Sequence, residues 1–456
     1  MARPVSHTVT QGSFYRAVWR WHFIAGLLVL PFLVVLAATG AVYLFKDEID
    51  AWIYRAWDTV SPAGEARSLS RLIDAAEAAT GGRVMQLTLA AEPDRAVRMT
   101  VHANGSAETA FVDPYRGEVT GTTSFGGAMQ VVRKLHSLQY FGPKASWFME
   151  VAAGWAILLV ATGLYLWWPR GRGGGVVTIR ATPRARTFWR DLHAVTGAFA
   201  GAIVLFLAVT GMPWSDVWGG KVQELATSAG LSRPNPPADV VPDWALENVV
   251  PSPPGSAHEH HHDESPLPWA LEKAPAPASA ASGATPIDVD SAALALARMG
   301  MPKPYSLTLP RGPRGAYAAT YSPDRVEDVR VVYIDQYTGG VLDDVGYPRF
   351  GPAAKAIEWG IAVHQGQEYG GVNRYVMLLG CLAILVLAVS SATMWWKRRP
   401  QGTLGMPPAP RDRRTYWVLA AIVLPVAVLY PLVGASLLAA YGLDRAAWAL
   451  SAGRRR

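Results

Sequence analysis

Two stretches decide how this chain is built: Trp19-Arg20-Trp21-His22, followed by Thr39-Gly40, and Trp189-Arg190-Asp191-Leu192-His193, followed by Thr210-Gly211. The interval from histidine to threonine is 17 residues in both. A second pair of intervals agrees with the first. His136 precedes Gly142 by six residues and Trp167-Trp168 by 31, and His364 precedes Gly370 and Trp395-Trp396 by the same two distances. Each histidine is tied to a long apolar run. Ionisable residues at membrane depth are costly and carry function by default, and paired imidazoles there point to metal or haem ligation.

The apolar runs set the class. Half of the 456 residues are hydrophobic, and runs at about 22–45, 147–168, 194–217, 373–396 and 416–441 each approach the ~20 residues that a bilayer requires. Ala37-Ala38-Thr39-Gly40-Ala41 has a faint look of a cleavage site, but the run is longer than a signal core and its counterpart at 194–217 is internal. The expectation is an α-helical membrane protein with about five transmembrane helices, two small α+β external domains and an internal duplication. Pro425 and Pro431 interrupt the last run, which leaves room for a kink or a re-entrant path.

Lys and Arg placement orients the spans. Residues 169–190 carry six arginines and no acid; Lys397, Arg398, Arg399, Arg411, Arg413 and Arg414 follow the fourth run. With Arg16 and Arg20 these turns read as cytoplasmic, so the N-terminus is placed inside and the long connections outside. The net charge of +7 is then a positive-inside signature, and nucleic acid is not expected as a partner; membrane lipid is. The one cysteine, Cys381, lies within a span, and no C-x-x-C-H occurs, so any haem is held without a covalent bond.

The expected order is a first transmembrane helix at 14–46, an external domain at 47–125, an interfacial helix and second span at 126–170, and a third span at 186–218. A Pro/Ala-rich, disordered insert at 232–286 follows, then an external domain at 287–345, an interfacial helix and fourth span at 352–399, and a fifth span at 414–442. Each external domain reads as one helix, capped in the first by Ser68 or Ser70, and three strands. The strands end in Asp113-Pro114-Tyr115-Arg116-Gly117-Glu118-Val119 and in Asp335-Gln336-Tyr337-Thr338-Gly339-Gly340-Val341. Inside the insert, His258, His260, His261 and His262 stand among acids as a weak candidate metal site; a solvated polar segment accounts for them as well.

Topology sorts the four repeated histidines. His22 and His193 open equivalent spans at the basic end, while His136 and His364 precede spans that run the other way. The expectation is that His22 meets His193 and His136 meets His364, each pair giving the axial ligands of one b-type haem. Gly26 and Gly197, four residues beyond their histidines, would let a flat macrocycle approach, and Arg20, Arg190 and Arg133 are candidate partners for its propionates. For Arg20 and Arg190 a role as topology anchors is the plain alternative.

The Asp-x-x-x-Gly-x-Val turn after a helix and three strands resembles the PepSY domain. His22…Thr39-Gly40 and Leu135-His136…Thr162-Gly163-Leu164-Tyr165-Leu166-Trp167-Trp168-Pro169 resemble the PepSY-associated transmembrane family. The second half departs from that ending, with Ser390-Ser391-Ala392-Thr393-Met394-Trp395-Trp396-Lys397. The resemblance covers roughly residues 10–400 and implies haem-dependent reduction of ferric siderophores or related metal handling in a bacterial inner membrane. Electrons would come from a cytoplasmic or quinol donor and reach a ferric chelate outside. No nucleotide or flavin signature is present. A non-enzymatic PepSY scaffold or metal sensor that binds a periplasmic partner is the alternative, and a metal or siderophore transporter is less favoured because the spans carry few buried acids.

Overall fold

A computed structural model describes residues 7–142, 144–170, 175–232, 267–272, 276–280, 285–401, 405, 407 and 413–453. Among them, four helices are long and apolar enough to cross a membrane: α1 (His7–Tyr43), α6 (Ser146–Trp167), α7 (Arg186–Gly211) and α12 (Gly370–Arg398). They form a ring in which α1 packs on α6 and α12, and α7 packs on the same two. α1 and α7 therefore face each other along one diagonal, and α6 and α12 along the other.

The expected fifth span is instead two helices, α13 (Arg413–Leu429) and α14 (Pro431–Gly453). The break falls at Pro431, whose ring removes an amide donor and disfavours a helical residue before it. α13 packs on α1 and α14 on α6. At the second contact the indole of Trp155 donates to Ser436 (2.8 Å), and Gly154 leaves room for Val433.

Between the spans lie two copies of one order of elements. The first copy is α4 (Leu69–Thr80), β1 (Arg83–Leu89), β2 (Val97–Ala103), β3 (Ser106–Val112) and β4 (Val119–Ser124). The second is α10 (Val289–Arg298), β5 (Tyr305–Thr308), β6 (Ala316–Tyr321), β7 (Arg330–Asp335) and β8 (Val341–Gly346). Each has four strands, not three. The fourth strands are polar edges, Val-Thr-Gly-Thr-Thr-Ser and Val-Leu-Asp-Asp-Val-Gly, and so lack an apolar alternation; such polarity also blunts edge-to-edge pairing. The edge at β4 is covered by the turn α3 (Arg55–Asp58): the Trp57 ring lies so close over Gly121 that no side chain would fit there.

The two copies are not separate sheets. β1 pairs antiparallel with β5, Leu87 opposite Leu307, which makes one sheet in the order β4-β3-β2-β1-β5-β6-β7-β8. Strand alternation sends Leu87, Met99, Val101, Ala110, Leu307, Ala319, Val332 and Ile334 to one face, where Leu72 and Ala76 of α4 and Ala292 and Leu296 of α10 complete a shared core. The helices interlock as well. Ser68 makes no side-chain cap, and neither expected serine accepts from the first turn of α4. The Asp290 carboxylate of α10 does so, taking the Leu69 and Ser70 amides at 2.6 and 3.1 Å.

The Asp turns match in detail. The Asp113 carboxylate accepts from the Tyr115 and Arg116 amides (2.8 and 3.1 Å), and Asp335 from Tyr337 and Thr338 (both 2.8 Å). Gly117 and Gly339 then take the left-handed conformation, φ 71° and 69°.

Part of the expected disordered insert is packed. Trp269–Glu272 forms the short helix α9, with Trp269, Ala270 and Leu271 each 4% exposed. Ser279 pairs with Arg314 and Gln336. Leu267-Pro268-Trp269-Ala270-Leu271 is an apolar island whose signal is diluted by the Pro, Ala and Ser around it. His258, His260, His261 and His262 lie outside the described residues.

Candidate functional site

The ring of helices brings the repeated histidines together in two layers. At the basic-turn end, His22 of α1 and His193 of α7 meet across the diagonal, with ring centroids 6.3 Å apart and planes at 88°. At the sheet end, α5 (Gly127–His136) packs on α1 and α11 (Pro352–His364) packs on α7, and each ends on its histidine. Seventeen residues separate His22 from Thr39, the residue that His136 touches, so the layers lie about 26 Å apart along α1.

Every one of the four rings is held the same way. His22 Nδ1 lies 2.9 Å from Thr162 Oγ1, His136 Nδ1 3.0 Å from Thr39 Oγ1, and His364 Nδ1 2.9 Å from Thr210 Oγ1. His193 Nδ1 lies 3.1 Å from Ser390 Oγ. The hydroxyls spend their own protons on their helices. Thr162 donates to the Leu158 carbonyl and Thr39 to Val35 (both 2.6 Å), Thr210 to Phe206 (2.7 Å) and Ser390 to Leu387 (3.1 Å). Each hydroxyl oxygen is therefore left to accept, and each Nδ1 must carry the proton. His193 Nδ1 also faces the Leu387 carbonyl at 3.3 Å, which can only accept. The tautomer fixed in this way leaves Nε2 with its lone pair, the form in which imidazole ligates a metal.

Burial favours the same neutral state at the sheet end. It pushes His136 down to about 4, opposed by a hydrogen bond that the imidazole donates to the Leu36 carbonyl, and pushes His364 down to about 3 with help from repulsion by His136. The Trp214 ring stands edge-on to His364 at 6.0 Å.

Glycines after the threonines make space for the rings. A methyl group on Gly40 would stand 3.3 Å from His136 Cε1, one on Gly163 3.3 Å from His22 Cε1, and one on Gly211 3.5 Å from His364 Cε1. The Thr-Gly pairs are thus histidine rests: the hydroxyl orients the ring and the missing side chain admits it. In α12, Ser390-Ser391 stands in the place of Thr162-Gly163 and keeps the hydroxyl. Sequence reasoning found the intervals but missed these partners, because an interval along one helix does not say which other helix a side chain meets.

The remaining expected site residues fall as follows. Gly26 and Gly197 face Leu159 and Leu387, each three residues before a hydroxyl partner. Arg20 donates to the Pro407 carbonyl. Arg190 pairs with Asp191 at 2.6 Å, and that fully buried carboxylate also takes Arg180 at 2.8 Å. Both arginines thus have protein partners. Arg133 sits one turn before His136 on α5. No cluster of three or more His, Cys, Asp or Glu arranged for a metal ion occurs among the described residues.

The sequence profile of the PepSY-associated TM region matches residues 19–398. The chain belongs to the PepSY-associated transmembrane family. The match runs from within α1 to the end of α12 and takes in both sheet modules and all four histidines. Comparison with curated proteins finds no match.

Proposed function

We propose that this member of the PepSY-associated transmembrane family is a haem-bearing reductase of a bacterial inner membrane, its halves related by duplication. It would carry electrons from a cytoplasmic or quinol donor to a ferric chelate on the sheet side. The observation that carries this reading is the common state of four histidines: Nδ1 bound to a hydroxyl, Nε2 available, one pair facing across the bundle.

The residues present fit such a group: the His22 and His193 rings stand 6.3 Å apart on facing helices. His22 and His193 would hold one b-type haem, and His136 and His364 a second. Haem, when bound, supplies a one-electron Fe(III)/Fe(II) couple. The chain's own residues do the rest. Thr39, Thr162, Thr210 and Ser390 hold the imidazoles at one tautomer, which fixes ring orientation and raises ligand basicity. On the sheet side, one electron added to the bound ferric ion gives Fe(II), whose lower charge loosens its hold on hard oxygen ligands.

An absorption spectrum of the purified protein, oxidised and dithionite-reduced, tests the reading. The expected result is a Soret band with sharp reduced α and β bands and two haems per chain. A colourless protein after expression with ample haem would return the chain to the non-enzymatic scaffold reading.

A further inference from the structure

The lower face of the sheet, opposite α4 and α10, is chemically different in its two halves. In the second half it is apolar and filled. Val331, Tyr333 and Val345 pack against Trp269, Ala270 and Leu271 of α9, with Phe350 and Ala354 beneath. That plug is pinned on three sides. The Gln223 amide donates to the Trp269 carbonyl (2.7 Å), the Trp269 indole to the Pro213 carbonyl (3.1 Å), and the Ala270 amide to Glu358 (2.9 Å).

In the first half the matching strand positions are Thr109, Phe111 and Thr123; Tyr54 and Trp57 pack on Phe111, and among the described residues nothing fills the space beside them over Thr109 and Thr123. Strand register makes the match: Phe111 and Tyr333 each lie two residues before the Asp of the turn, and Thr109 and Val331 four before it. What remains is a half-open cavity of 270 Å³. Its walls are the sheet face, α2 (Lys46–Ile53) and the start of α5, whose Gly127 lines it. Nine residues further along the same helix is His136, so the cavity lies roughly 14 Å of helix from that imidazole.

The lining is rich in hydrogen-bonding oxygen. Thr100, Thr109 and Thr123 present hydroxyls and Gln86 an amide. The Tyr54 hydroxyl accepts from the Ala128 amide (2.8 Å), which leaves its proton to donate. The cavity holds no uncompensated cation among the described residues. Arg98 is bound to Asp58 (2.9 Å), a carboxylate only 2% exposed that also binds Arg95 (2.9 Å), and Asp50 adds a further carboxylate, one of whose oxygens is buried without a hydrogen-bond partner. A multiply charged anion would meet no attraction there.

We infer that this cavity is the ligand site of the protein, that it takes a compact, neutral, oxygen-rich chelate, and that each chain has one such site because α9 fills its counterpart. The substrate class, a ferric chelate, rests on the proposed function; the cavity, its charge and its one-sidedness do not.

The test uses the full chain in detergent and redox-inert gallium probes, so that binding is read apart from reduction. Titration calorimetry compares the neutral gallium(III) tris(acetohydroxamate) with gallium(III) citrate, an anion. The wild type should bind the neutral probe at least tenfold more tightly. The pair Thr109→Val and Thr123→Val gives the first half the lining of the second and should weaken that binding on the order of tenfold or more, for two lost hydrogen bonds. Thr109 also accepts from the Gly126 amide (3.3 Å), so Thr123→Val alone serves as the gentler variant and should weaken binding several-fold. Equal binding of the two probes, no binding of either, or a neutral-probe affinity untouched by Thr123→Val would overturn the inference. A coloured protein that binds neither probe refutes the site and leaves the reductase reading standing. A colourless one that binds as described does the reverse.

Discussion

The two halves of this molecule are alike where they hold histidines and unlike where their sheets face the helices. Both place a histidine at the start of a span and another at the end of a short helix, and both rest those rings on hydroxyls. Even where Thr162-Gly163 gives way to Ser390-Ser391, the hydroxyl stays in place. Beneath the sheet, threonines around a cavity in one half become valines under a plug in the other. On the proposed reading, an electron path across a membrane would need a layer at each end, each drawing one histidine from each half, whereas a ligand site would be needed only once.

This contrast can be broken from either side. The largest effect is expected at the plug. Trp269→Ala removes a buried indole from the filled half and should cost about 3–5 kcal/mol, read as a lowered thermal midpoint in detergent. A loss under about 1 kcal/mol would mean the segment merely lies on the sheet.

Next come the hydroxyl partners. Thr162→Val leaves His22 without its acceptor and should weaken haem retention at the His22–His193 layer by 10–100-fold, about the range for lost outer partners of a ligating histidine, while Ser390→Ala leaves His193 the longer contact to the Leu387 carbonyl and should weaken it less. Both should act on the same layer despite their different residues. If only Thr162→Val acts, Ser390 is not its counterpart.

The smallest effect belongs to the joint between the modules. Asp290→Ala uncaps α4 from a distance and should cost about 1 kcal/mol. An effect confined to α10, with α4 unchanged in amide exchange, would show that the cap across the modules adds nothing.

Much of this was legible in the sequence, and what was not has physical reasons. Matching intervals and the distribution of arginine were enough to pair His22 with His193, because both signals are written along single helices. The hydroxyl rests were not, since His136 and Thr39 are 97 residues apart and meet through helix packing. The joined sheet was hidden for the same reason: Leu87 opposite Leu307 leaves no local trace. β4 and β8 are polar edge strands without alternation, and the plug is a few apolar residues in a stretch dominated by Pro, Ala and Ser. The last apolar run had the composition of a span, but Pro431 divides it into two helices.

The central claim is that the four histidines form two independent layers, each drawing one ligand from each half. The haem content of His22→Ala and His136→Ala, measured per chain beside the wild type, tests it most directly. The account predicts two haems in the wild type and one in each variant, with the remaining haem of His22→Ala lost on adding His364→Ala and that of His136→Ala lost on adding His193→Ala. Loss of both haems from either single change, or no change in haem content from either, would contradict it.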